Sequence, residues 1–161
     1  MQALVYEFLH TKDQSGPKHT VDGEVVGGND NYFNHFIYRS AWSYHNYTIG
    51  TPLITSPILK EPIHYYHNTR NNRVLAHHIG LEGFIAAEIT YRGLFTYSRN
   101  YGTFNEPFDE PLDQLSGMLE LTRPLPWYGL DASITIAADK GRMYGNNYGV
   151  MLNLSKTFES N

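Results

Sequence analysis

The chain has 161 residues, a formal net charge of -4 at pH 7 and no cysteine, a length that suits one domain with a core of its own. Net acidity disfavours a duplex-binding surface, which needs a basic excess, and the lack of thiols excludes disulfides and thiolate chemistry. Only 17% of residues are charged, while 13 Tyr and 8 Phe are present. Soluble domains carry about 25% charged residues, so this mixture suits a surface that meets lipid interfaces or sugars.

Residues 1–7 have neither a basic start nor a long apolar run, so they do not read as a signal peptide. No run approaches the roughly 20 apolar residues of a membrane helix. Any membrane reading therefore rests on strands, and it expects this chain to be a mature product or a piece of a longer one.

Residues 3–10 form the first predicted strand, with Leu4, Tyr6 and Phe8 on one face and Ala3, Val5 and Glu7 on the other. Residues 11–72 read as one large excursion. It opens with the loop formers Asp13, Gly16, Pro17, Asp22, Gly23, Gly27 and Gly28, a turn-forming composition. At 32–45 the period changes. Phe33, Phe36, Ile37, Ser40, Ala41 and Tyr44 recur at helical spacing, which predicts a short amphipathic helix capped by Asn29, Asp30 or Asn31. Residues 49–72 turn irregular around Pro52, Pro57 and Pro62, with room for a strand near 48–54 or 63–67.

Residues 73–158 read as a meander of about five strands. The first two, 73–85 and 88–99, are separated only by Ala86 and Ala87, and so form a tight hairpin. Leu75, His77, Ile79, Leu81 and Ile85 line one parity of the first. Ile89, Tyr91, Gly93, Phe95 and Tyr97 line one parity of the second, against Thr90, Arg92, Leu94 and Thr96. Successive side chains of a strand point to opposite faces, so each strand has an apolar face and a mostly polar one. A loop is predicted at 100–112, strands at 113–123 and 130–139, an aromatic turn at 124–129, a loop at 140–146 and a last strand from 147 that ends at Phe158.

Short connections at 86–87 and 124–129 thus alternate with longer ones at 11–72, 100–112 and 140–146. Aromatics gather at strand ends in Tyr97, Tyr101, Trp127, Tyr128, Tyr148 and Phe158. Short turns on one rim, long loops on the other and aromatic girdles are features of outer-membrane barrels. The expected fold class is all-β: antiparallel up-and-down strands of an outer-membrane β-barrel, with a short helix in a long extracellular loop. Six strands are fewer than the eight of the smallest common barrel, so residues 1–161 read as one domain that is the C-terminal section of a larger barrel.

Several separated runs carry a resemblance. They include Glu7-Phe8-Leu9-His10-Thr11-Lys12-Asp13, Gly28-Asn29-Asp30-Asn31-Tyr32-Phe33-Asn34, Trp42-Ser43-Tyr44-His45, Ile49-Gly50-Thr51-Pro52-Leu53, Asn71-Asn72-Arg73-Val74-Leu75-Ala76-His77-His78 and Thr96-Tyr97-Ser98-Arg99-Asn100-Tyr101-Gly102. In this order they resemble the C-terminal portion of the capsule assembly Wzi family, in its Bacteroidetes branch. The resemblance implies a many-stranded outer-membrane barrel with a lectin-like, non-catalytic role in attaching and organising capsular polysaccharide at the cell surface. The implied partners are capsular polysaccharide, outer-membrane lipid and the remaining strands of the barrel, with no cofactor and no nucleic acid. The chain lacks the early strands and any N-terminal plug of that family.

The candidate polysaccharide-binding residues sit in the long-loop regions: Trp42, Tyr44, Tyr47, Tyr65, Tyr66 and Tyr101, with Arg70, Asn71 and Arg73 beside them. Flat rings stack on the apolar faces of pyranoses, amides can bond hydroxyls, and arginines pair with acidic sugars. The plainer reading is that the rings pack the excursion and the arginines are solvated. Adjacent His77 and His78 face opposite sides of a strand and cannot easily share a metal, and His64 and His67 have no spaced third ligand. Glu88, Glu120, Asp131 and Asp139 share a face with Arg92 and could hold a glycosidase pair, but a self-balancing charged lumen accounts for them as well. Two other readings stay open: a soluble β-sandwich that binds carbohydrate, and an outer-membrane porin or enzyme acting on polysaccharide.

Overall fold

The computed structural model describes residues 1–13, 15–28, 33, 35, 37, 42–59 and 69–158, the side chain of Trp127 excepted. The described chain is all-β. Its strands are β1 (Ala3–His10), β2 (His19–Val21), β3 (Glu24–Val26), β4 (Ser43–Tyr44), β5 (Tyr47–Thr48), β6 (Val74–Ala86), β7 (Ile89–Gly102), β8 (Pro107–Leu125), β9 (Leu130–Gly141) and β10 (Asn147–Ser155). Short 3-10 turns at Pro57–Leu59 and Pro126–Tyr128 are the helical elements among the described residues. None is long and apolar enough to cross a membrane.

One sheet has the order β1-β6-β7-β8-β9-β10, and β2-β3 and β4-β5 are separate two-stranded pairs. β8 pairs antiparallel with β9, and β9 antiparallel with β10. β6 and β7 pair in the same antiparallel sense, since His78 Nδ1 meets Thr96 Oγ1 and Tyr101 N donates to the carbonyl of Arg73, just ahead of β6.

The first strand has the bounds the alternation predicts, and the hairpin of β6 and β7 turns at Ala87 and Glu88, one residue later than expected. Two expectations need correction. The helix predicted over 32–45 does not hold at its end: Ser43–Tyr44 is a strand paired to Tyr47–Thr48. His45 and Asn46 between them adopt positive φ of 46° and 67°, the geometry of a two-residue hairpin turn, which overrides the helical spacing. Phe36, Ser40, Ala41 and the expected caps Asn29, Asp30 and Asn31 lie outside the described residues, as does the strand suggested at 63–67. The second correction is the loop at 100–112. β7 runs on to Gly102 and β8 starts at Pro107, which leaves a short connection at 103–106. Pro107 and Pro111 suggest a loop, yet both lie ahead of Gln114, where the β9 register begins. A proline has no N–H for a ladder bond and is accommodated at the first residue of a strand, where Pro107 stands.

The chain divides into two compact units. The first comprises residues 1–8, 77–97 and 114–161, and the second residues 9–76 and 98–113.

In the first unit the register fixes two faces. Directly opposed residues share a face, so Tyr148, Val150, Leu152 and Leu154 line up with Ala138, Ile136, Ile134 and Ala132, and these with Gly117, Leu119, Leu121 and Arg123. The ring of Phe95 joins this face across the glycines, since a Cβ at Gly93 or Gly117 would lie 3.3 Å from it. Leu119, Ile136, Val150, Leu152 and Leu154 are all exposed. A water-soluble sheet of this composition would bury that face against a second layer; among the described residues nothing covers it. The opposite face carries Glu120 and Thr135, opposed in register and hydrogen-bonded at 3.3 Å, with Arg92 3.0 Å from Glu120. Glu88 does not join them, because it sits in the turn and reaches Arg123 at 3.9 Å.

The second unit is held by buried polar groups more than by apolar ones. Thr11, Thr55, Thr69, Asn71, Asn72, Arg73, Ser98, Asn100 and Thr103 are buried, beside Ile54, Val74 and Ala76. Burial of polar groups is tolerated only when they are bonded. Here Asn71 Nδ2 donates to Asn100 Oδ1 at 2.8 Å, Gly102 N donates to Asn71 Oδ1 at 2.9 Å, and Asn71 N donates to Thr55 Oγ1 at 2.8 Å. Val74 N donates to Thr11 Oγ1 at 2.8 Å, and Thr11 Oγ1 donates to Asn72 O at 2.8 Å. This knot fastens the returning excursion to the strand ends.

Candidate functional site

Three of the candidate rings come together on the β4–β5 hairpin of the second unit. Ser43 pairs with Thr48 and Tyr44 with Tyr47, and Ile49 N donates to Trp42 O at 2.9 Å. Alternation then puts Trp42, Tyr44, Tyr47 and Ile49 on one side of the pair. All four are exposed, with Tyr44 70% and Trp42 54% accessible.

The other side is the docked one. Thr48 N donates to Ser56 Oγ at 3.0 Å, Thr48 Oγ1 donates to Thr55 O at 3.2 Å, and Ile58 N donates to Asn46 O at 3.1 Å. Thr55 belongs to the buried knot through its bonds to Thr69 and Asn71. The hairpin is thus tied at its inner face and tip, and its rings are displayed outward on a fixed base. His45 packs edge-on against Tyr44 with ring centroids 4.3 Å apart, which further limits the freedom of that ring.

The remaining candidates are dispersed. Tyr65 and Tyr66 lie outside the described residues. Asn71 is wholly buried with its side-chain amide engaged on both ends, so it builds the knot and offers nothing to a ligand. Arg73 is buried as well. Its Nε donates to Lys12 O at 2.9 Å and its guanidinium stands 3.6 Å from Asp13. These two residues correct the expectation of an amide and an arginine held out to sugar. Tyr101 lies under the ammonium of Lys12, 4.6 Å from ring centre, and exposed Arg70 lies over Phe108 at 5.5 Å. One face of each ring is therefore already occupied by a cation.

In the first unit, His77 and His78 point to opposite faces. His77 Nδ1 is 2.7 Å from the hydroxyl of Tyr6, and its ring packs 4.9 Å from Phe8, on the apolar side. His78 Nδ1 is 2.6 Å from Thr96 Oγ1 on the polar side. There Glu7, His78, Glu82, Arg92 and Leu94 border a shallow hollow of about 220 Å³. No grouping of three or more potential metal ligands occurs among the described residues.

Compared with known protein families, curated proteins and solved structures, the chain matches none.

The hairpin as a unit is what the sequence reading missed. Trp42, Tyr44 and Tyr47 stand out singly as aromatic residues, but Ile49 and the common face do not. The available signal was His45-Asn46, two polar residues that tolerate positive φ, set between Tyr44 and Tyr47. It was obscured by the helical spacing upstream.

Proposed function

We propose that this protein is a non-catalytic outer-membrane protein that binds surface polysaccharide and helps hold capsule at the cell exterior. The observation that carries the binding part is the outward aromatic face of Trp42, Tyr44 and Tyr47 on a hairpin fixed from behind. Sugars present flat apolar C–H faces, and exposed rings on a rigid base stack on them with little ordering cost.

The membrane part is supported by the first unit. Its sheet has one apolar exposed face and one face with Arg92, Glu120 and Thr135 bonded together, which is the lipid-out, wet-in pattern of a transmembrane barrel. Exposed Tyr128, Tyr148 and Phe158 near strand ends suit the interfacial girdles. The edges of the sheet support a larger barrel. β10 is exposed along its whole length and has no proline and no charge. Unprotected edges of this kind pair with further strands. The remaining strands of a barrel are the partner this edge favours.

The reading is tested by reconstituting the purified chain into lipid vesicles and measuring co-sedimentation of capsular polysaccharide. Membrane insertion together with retention of polysaccharide supports it. A chain that stays in the aqueous phase and retains no polysaccharide overturns it.

A further inference from the structure

The same hairpin carries information on what kind of sugar it takes. From Trp42 to Leu59 the chain has no Asp, Glu, Lys or Arg. Among the described residues, the hairpin and the 49–59 segment that backs it are therefore free of formal charge. An acidic saccharide would be recognised through cations, ideally the planar fork of arginine. Of the arginines considered for that role, Arg73 is buried against Lys12 O and Asp13, and Arg70 is held over Phe108. Neither belongs to the hairpin.

The shape is also informative. Residues alternating on one face of a strand stand about 6.5–7 Å apart, and directly opposed residues about 4.5–5.5 Å. Trp42, Tyr44, Tyr47 and Ile49 thus form a strip along and across the hairpin. It is an exposed surface, with Tyr47 58% and Ile49 51% accessible. A pocket would select a chain end. An open strip accepts rings in the interior of a polymer.

Building on the polysaccharide reading above, we infer that the β4–β5 hairpin binds internal stretches of an uncharged hexopyranose polymer by stacking. Trp42, Tyr44 and Tyr47 are its contact residues. Binding of this kind is insensitive to ionic strength, because no ion pair forms. Each site is weak, and a polymer gains by engaging many copies on one surface.

The test uses the full chain in detergent, with affinity electrophoresis through gels containing a neutral glucan, a neutral galactan, polygalacturonate or hyaluronan, at low and high salt. The expected result is retardation by a neutral polymer, unchanged by salt. Tyr44→Ala and Trp42→Ala should each weaken it about 3–10-fold, the range given by loss of one aromatic contact. Val25→Ala, at an exposed position of β3 outside the hairpin, serves as the folding control. Retardation by the acidic polymers alone, relieved by salt and by Arg70→Ala, overturns this inference and leaves polysaccharide binding standing. Self-association of the chain that is abolished by Tyr44→Ala, with no polymer retained, overturns both, since the rings then form a contact between copies.

Discussion

Asn71 and Asn100 are joined amide to amide at 2.8 Å, and both are shut off from solvent. Around them the second unit has a polar centre. Asn71 also receives Gly102 N, and Asn100 Nδ2 reaches Leu112 O at 3.0 Å and Ser98 Oγ at 3.2 Å. One pair of side chains therefore ties the excursion to both strands of the β7–β8 hairpin. Asn71→Ala would leave the N–H of Gly102 and the Oδ1 of Asn100 without partners. Each buried orphan costs about 1–3 kcal/mol, so with two of them the variant should lose about 2–6 kcal/mol in equilibrium unfolding by denaturant. A loss within experimental error would show that the knot is dispensable.

Gly102 gives a sharper steric test. Its φ is +80°, and a Cβ there would stand 2.6 Å from Glu106 O and 2.8 Å from Phe108 N. Gly145 has nearly the same φ, +79°, but nothing within 4 Å of a Cβ. Left-handed backbone costs a non-glycine residue about 1–2 kcal/mol. Gly145→Ala should show about that loss. Gly102→Ala should show more, by about 1–3 kcal/mol of overpacking. Equal losses in the two variants, measured by thermal unfolding, would rule out the clash.

The two faces of β10 make opposite predictions for neighbouring residues. Leu152 is opposed to Ile134 on the apolar face, and Asn153 to Ser133 on the other. If the apolar face meets lipid, Leu152→Arg should destabilise the inserted protein by about 2–4 kcal/mol, less near an interface. Asn153→Arg should cost little. The readout is folding into vesicles, followed by the mobility difference of heated and unheated samples. Equal tolerance of both substitutions would refute the assignment of faces.

Tyr144, 37% exposed, lies in the connection between β9 and β10, and its partial burial, aided by nearby Asp139, raises its pKa above the ordinary tyrosine value. A pKa raised in the folded state stabilises the fold below the unfolded value of about 10, and this contribution is lost as pH rises through the folded value. Stability should therefore decline above about pH 10. The decline should be shallower in Tyr144→Phe. Ultraviolet titration of the phenolate, with denaturation curves at several alkaline pH values, checks both points. The loop itself is clamped by Gln114, whose Oε1 accepts from Tyr144 N at 3.1 Å and whose Nε2 donates to Gly145 O at 3.2 Å. Gln114→Leu should loosen the clamp and bring the Tyr144 pKa back toward the ordinary value.

Much of the strand layout was legible because alternation is a local signal. Leu4, Tyr6 and Phe8 repeat every second residue, and so do Leu130, Ala132, Ile134 and Ile136, and each set marks its strand without reference to the rest of the chain. Turn and loop composition was less reliable. Prolines at 107 and 111 concealed the start of β8, because whether proline interrupts a strand depends on which edge has a neighbour. At the candidate site, Trp42, Tyr44 and Tyr47 could be named from their chemistry. Asn71 and Arg73 were named by the same chemistry, and they proved to be buried because their partners, Asn100, Gly102 and Lys12, are remote in sequence.

By itself, then, the sequence determined an all-β chain, the two faces of its long strands and the aromatic character of its excursion. These follow from residue type and a period of two. Only the tertiary structure decided which polar residues are interior, that Trp42, Tyr44, Tyr47 and Ile49 share one outward face, and that the strand order ends in β1 and β10. Those depend on long-range pairing and desolvation, where the worth of a side chain is set by its neighbours in space.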